Sequence, residues 1–188
     1  MSRPFHIFEP RYIQMVEDCV RTGQFIAIGH VDSDAFEIEP VLGEELKDIH
    51  KTAGFGNPLI HERKKDGSLI IFLHGRGKLM LKKVVDRGTP YIVCDAEVVI
   101  ENHDIDDAHN KNFMILQKYL IKWVRTHIPD PNHQNLFLKN LKLPEEVIGN
   151  IVSYSVSDID IQQSILEMNS INEKITLLFG LFQSGELI

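Results

Sequence analysis

The chain has 188 residues, 43% of them hydrophobic, enough for a sizeable core and between the usual sizes of one domain and two. Lys and Arg total 20 against 27 Asp and Glu, a net charge of -7, so the long-range field repels phosphate backbones and anionic membranes and neither is expected as a partner. Cys19 and Cys94 are the two cysteines, far apart and with no C-x-x-C, and they read as buried thiols of a reducing, cytoplasmic compartment; no run approaches the ~20 apolar residues that cross a bilayer.

The first specific phrase is "HIFEPRY", residues 6–12, where a β-favouring stretch (Phe5, Ile7, Phe8) runs into Glu9-Pro10-Arg11-Tyr12. A helix is expected to start here, with Glu9 at its cap and Pro10 at the first helical position, where a missing N–H costs nothing. Ile13, Val16, Cys19 and Val20 continue its apolar stripe and Gly23 stops it; Phe8 and Ile13 are placed to form a hydrophobic staple. Glu9 and Arg11 read as an ion pair pinning the strand-to-helix corner in preference to a general acid and an electrostatic clamp, because no nucleophile or base is identifiable beside them.

From about Gln24 to Glu101 the apolar residues come in short bursts, "FIAIGHV", "LIIFL", "LMLKKVV" and "YIVCDAEVVI", which are expected strands. Asp66-Gly67 predicts a hairpin through a type I′ turn, whose central positions both need positive φ. "HGRGK" and "DRGTP" are expected to punctuate the next strands in the same way. A meandering antiparallel sheet, curled or closed, is the predicted first lobe, over residues 1–101.

Residues 102–112 are polar and acidic, suited to an exposed connector. Phe113, Leu116, Leu120, Val124 and His127 then recur at helical spacing, a helix of about five turns, until the prolines of "IPDPNHQ" break it. "HQNLFLKNL", "PEEVIGNIVSYSV", a periodic stretch from Ile159 to Met168, and "SINE" as a capping box before Ile175, Leu178, Phe179 and Phe182, with Gly185 as the stop, complete a bundle of four to five helices over residues 113–188. The fold class is therefore α+β: a β-rich lobe with one early helix, then a helical bundle.

"HIFEPRYIQMVEDCVRTGQFIAIGHV" resembles the start of the Lon substrate-binding domain, the N-terminal domain of Lon-type ATP-dependent proteases, which also occurs as free-standing bacterial proteins. The resemblance continues through "GFGNPLIHERKKDGSLIIFLHGRGKLML", where Gly67, Gly75 and Gly77 stand at the family's hairpin and glycine-containing turn, through "PYIVCDAEVV", and into "ILEMNSINEKITLLFGLFQ" as a closing helix pair. It covers nearly the whole chain; Glu9, Pro10, Arg11 and Tyr12 carry its most specific phrase. It implies a PUA-like β lobe followed by a bundle, and a domain that captures unfolded or degron-bearing polypeptide. Five residues precede His6, where family members carry a further strand, so either a longer protein or an unpaired sheet edge is expected.

No cofactor or metal is expected. The nine histidines include no i, i+4 pair and no H-E-x-x-H, two scattered cysteines make no zinc set, and His103 and His109 among Asp104, Asp106 and Asp107 read as a solvated acidic loop. No G-x-x-x-x-G-K-[ST] loop and no G-x-S-x-G elbow occur. The leading expectation is a non-catalytic peptide- or protein-binding domain acting as an adaptor for a separate protease, with Phe36 and Phe55, in or beside a long irregular loop, as candidate contacts. Two alternatives stand beside it. One is a small hydrolase or peptidase with an unrecognised site. The other is a nucleic-acid binder using a patch of His61, Arg63, Lys64, Lys65, Arg76, Lys78, Lys82 and Lys83.

Overall fold

In the computed structural model, which describes residues 2–31 and 40–187, the first apolar alternation forms strand β1 (Ser2–Ile7) and turns into helix α1 (Pro10–Thr22). Glu9 sits at the N-cap with extended backbone, its carbonyl accepting from Tyr12 N and Ile13 N at 3.0 Å each, and Pro10 opens the helix as its fixed φ favours. Gly23 closes it at φ 72, a left-handed conformation that glycine adopts without Cβ strain. The expected staple does not form: Phe8 is 68% exposed and its ring lies 5.9 Å from that of His6.

Strands β2 (Ile26–Ile28), β3 (Thr52–Arg63), β4 (Leu69–Val84) and β5 (Cys94–Val99) join β1 in one antiparallel sheet of order β1-β4-β3-β2, with β5 also on β4. Among the described residues no pairing links β2 to β1 or β5, so the sheet is an open path and β1 is an edge strand. α1 covers one face, where Val16 and Cys19 meet Leu69, Ile71 and Leu73.

β4 corrects the sequence reading. "LIIFL" and "LMLKKV" are one 16-residue strand, and "HGRGK" is no turn. Gly56 pairs with Gly75 and Phe55 with Gly77, so Arg76 is the extra residue of a β-bulge. The glycines serve close approach instead of chain reversal: a Cβ on Gly56 would lie 2.4 Å from the His74 carbonyl oxygen, and Gly77 has φ 151. Because β3 runs along one edge of β4, β1 (opposite Leu69–His74) and β5 (opposite Lys78–Val84) share the other edge, on either side of the bulge. The Asp66-Gly67 hairpin forms as expected, but with another turn. Gly67 N donates to Lys64 O at 3.0 Å, Lys64 N to Ser68 O at 2.9 Å, and only Gly67 of the loop has positive φ, the geometry of a type I turn closed by a glycine bulge. Asp66 spends its carboxylate on Ser68 N (3.0 Å) and Ser68 Oγ (2.7 Å), which replaces the need for a left-handed aspartate.

The chain divides into two compact units, Met1–Val99 and Ile100–Ile188. The second holds α2 (Asp107–His127), α3 (Pro131–Lys139), α4 (Pro144–Ser155), α5 (Ile159–Glu167) and α6 (Ile171–Ser184). Leu116, Leu120, Val124, Ile151, Ile175 and Leu178 form its core, each fully buried. The stretch read as a connector is half helix, since α2 begins at Asp107, and its first half is tied down. Buried Asn172 accepts from Asp106 N (3.1 Å) and donates to Asp104 O (3.0 Å), while Ile171 N donates to Asn102 O (2.9 Å) and Asn102 N to Asn169 O (2.9 Å). Lys174 Nζ meets Glu101 Oε2 at 2.7 Å, both side chains largely buried. Ser170 caps α6 through Asn172 N at 3.2 Å, the second position and not the third that a capping box uses. The carboxylate half of a box appears instead at α4, where Glu146 accepts from Lys142 N (2.6 Å) and Leu143 N (2.9 Å).

Candidate functional site

Strand side chains alternate between faces, so burying Leu69, Ile71 and Leu73 against α1 sends Ile70, Phe72 and His74 to the opposite face. The register adds Pro4 and His6 from β1, opposite Phe72 and Ile70, and Asn57 and Leu59 from β3, opposite His74 and Phe72. Solvated faces of antiparallel sheets ordinarily carry polar residues. Here Leu59 is 65% exposed, Phe72 and Ile70 are half-buried, and Phe8 continues the face past the end of β1. His61 is an extra residue between the pairs Ile60–Ile71 and Glu62–Ile70, and its ring stands edge-on to Phe72 at 5.3 Å. Phe25, 52% exposed, packs edge-on against Phe55 at 5.1 Å. Between these apolar groups lies Arg76, whose Nε donates to Asn57 Oδ1 at 2.7 Å.

Several ionisable groups of the sheet unit brace structure. Arg21 and Tyr91 hold the Asp18 carboxyl below its usual range, the first at 2.5 Å and the second by donating its phenol O–H at 2.9 Å. Burial, and then that hydrogen bond, push the Tyr91 phenol up to about 12. Burial also raises both thiols, Cys19 and Cys94, the opposite of what an activated nucleophile needs. Among the described residues no group of three His, Cys, Asp or Glu side chains is placed to hold a metal.

Of the residues singled out in sequence, Glu9 and Arg11 form a 2.9 Å ion pair with both side chains well exposed, and the Arg11 guanidinium lies 4.6 Å above the Tyr12 ring. Gly67 serves the hairpin, and Gly75 and Gly77 flank the bulge. Phe36 lies outside the described residues. Phe55 is buried, 7% exposed, packed with Ala53 and Leu79, so it supports the sheet and lines no open surface. Of the basic patch, Arg63 pairs with Glu17 of α1, Lys82 with Glu97 at 3.0 Å, and Lys78 is buried. Leu59, Phe72 and Phe8 were missed. The signal was present in "LIIFL", an apolar run without alternation, which on an antiparallel strand means that both faces are apolar.

Exposed apolar side chains gathered on one sheet face are a feature that interaction surfaces share. The chain belongs to the ATP-dependent protease La (LON) substrate-binding domain family, whose model matches residues 1–184. Among solved structures it is similar to the Lon N-terminal domain protein from Xanthomonas campestris, at 16% identity over 96% of this chain and 89% of that one, with a TM-score of 0.61. It is also similar to the N-terminal domain of Mycobacterium avium complex Lon protease, at 11% identity over 96% of this chain and 88% of that one, with a TM-score of 0.66. Both likenesses establish the α+β fold expected from the sequence. A comparison with curated proteins finds no match.

Proposed function

We propose that the chain is a non-catalytic recognition domain that holds unfolded or degron-bearing polypeptide on the uncovered face of its sheet and acts as a client-binding adaptor for a separate protease. The observation that carries this reading is the exposure of Leu59 (65%), beside Phe72, and of Phe8 (68%), further along the same face opposite α1. A folded protein offers few apolar side chains to such a face, whereas an unfolded one offers many, and each square ångström of apolar surface buried between them contributes about 25 cal/mol. Family membership supports the same reading, since the matching family is a substrate-binding domain. The unpaired thiols of Cys19 and Cys94 support a reducing, cytoplasmic setting. The test is fluorescence anisotropy with a reduced and alkylated, permanently unfolded carrier protein. Leu59→Asp places a charge in the middle of the face and is expected to weaken binding by about tenfold or more, the equivalent of about 1.4 kcal/mol. Undiminished binding by this variant would sink the assignment of the face.

A further inference from the structure

Among the described residues Arg76 is held as an anchor with no charge to hold. Arg11, Arg21 and Arg63 each pair with a carboxylate, from Glu9, Asp18 and Glu17, but among the described residues Arg76 meets only the neutral amide of Asn57. That contact takes Nε and orients the guanidinium, leaving the two terminal amino groups, the pair that grips a carboxylate in bidentate fashion. The position is built by the backbone: Arg76 is the extra residue of the bulge, set by glycines at 56, 75 and 77 where a side chain on Gly56 would strike the His74 carbonyl. In a chain of net charge -7 an exposed, oriented arginine that meets no carboxylate among the described residues complements a negative charge on whatever the apolar face receives.

The neighbours define the rest of the occupant. Along β3, exposed Leu59 stands two residues beyond Asn57 on the same face, while on the other side Phe55 is buried and the half-exposed ring of Phe25 packed against it supplies the apolar surface. An extended polypeptide repeats its side chains with the same period of two. We propose that Arg76 receives an internal Asp or Glu side chain of the bound polypeptide, and that the preferred segment is extended with a large apolar residue two positions before and two positions after that carboxylate. This rests on the reading of the sheet face as a polypeptide-binding surface.

The experiment measures anisotropy of three labelled peptides, all capped at both ends: Phe-x-Glu-x-Leu, the same with Gln for Glu, and Phe-Glu-x-x-Leu with the acid out of phase. The in-phase Glu peptide is expected to bind about tenfold more tightly than the other two, a preference that shrinks in high salt. Arg76→Gln is expected to erase the preference, and Arg76→Lys to keep part of it, since a point charge remains without the fork; the side chain is exposed, so neither change disturbs the core. Equal affinity for the Glu and Gln peptides, with Leu59→Asp still weakening both, overturns the role of Arg76 and leaves the binding face standing. Tighter binding of a fourth peptide, Phe-x-Gly with an uncapped C-terminal carboxylate at the acidic position, overturns the internal side chain as its partner. If no peptide binds and Leu59→Asp leaves capture of the unfolded carrier unchanged, this inference and the reading beneath it fall together.

Discussion

The two units treat apolar surface in opposite ways. In the helical unit the 3.6-residue repeat places Leu116, Leu120 and Val124 on one stripe of α2, and the stripe disappears completely into a core shared with α4 and α6. In the sheet unit the run from Leu69 to Leu73 is apolar at every position, so one half goes under α1 and the other half stays in contact with solvent. A helix with one apolar stripe is satisfied by one layer of packing. A two-faced apolar strand with a helix on a single side retains apolar surface on the other, and the proposed function places recognition there.

The sharpest way to test the contrast is to truncate the same residue type on both sides of it. Leu120→Ala leaves a cavity in the closed core and is expected to cost about 2–5 kcal/mol, whereas Leu59→Ala, on the open face, is expected to stay within about 0.5 kcal/mol. Chemical denaturation of both variants, followed by helical and sheet signals, measures the difference; equal losses would show that the open face is part of a core after all. A smaller effect is expected at the bulge. Gly56→Ala forces the β3 and β4 backbones apart and is expected to cost about 1–3 kcal/mol, lowering the denaturation midpoint while leaving the helical unit's own transition in place.

The smallest effect is electrostatic and confined to the sheet unit. The folded pKa of Asp18 lies below its ordinary 3.8, so its contribution is complete above that value and is lost as pH falls through the depressed folded pKa. Tyr91→Phe removes one of the groups that depress it. The stability difference between this variant and the unaltered chain is therefore expected to be full at neutral pH and to shrink below about pH 4, which denaturation midpoints along an acid titration will read. The raised phenol of Tyr91 has the opposite sign: its contribution is present below its ordinary value of 10.0 and fades as pH rises through about 12.

How legible each feature was depends on whether its cause is local. Glu9-Pro10 and Gly23 bound α1, Leu116, Leu120 and Val124 are buried as their spacing requires, and Gly185 ends α6, because caps and helical periods are written within a few residues. Gly75 and Gly77 were misread because a turn and a bulge draw on the same freedom of glycine, and only the partner strand decides between them. Phe55 and Leu59 lie on one strand face in similar local sequence, yet one is buried and the other open, since burial is set by what distant segments place above them. The exposed apolar face was legible only as an unbroken apolar run, and the arginine beside it only as one charge among many.

The ties around Asn172 have a kinetic consequence. They join residues 66 and 68 positions apart in the chain, Asp106 and Asp104 to the start of the last helix, so the helical unit cannot complete itself from neighbouring turns alone. Closing so long a loop spends chain entropy before the contacts that repay it exist, which slows the final step beyond the pace of an ordinary bundle. Once that loop is shut, hydrogen bonds tie the beginning of the unit to the start of its last helix.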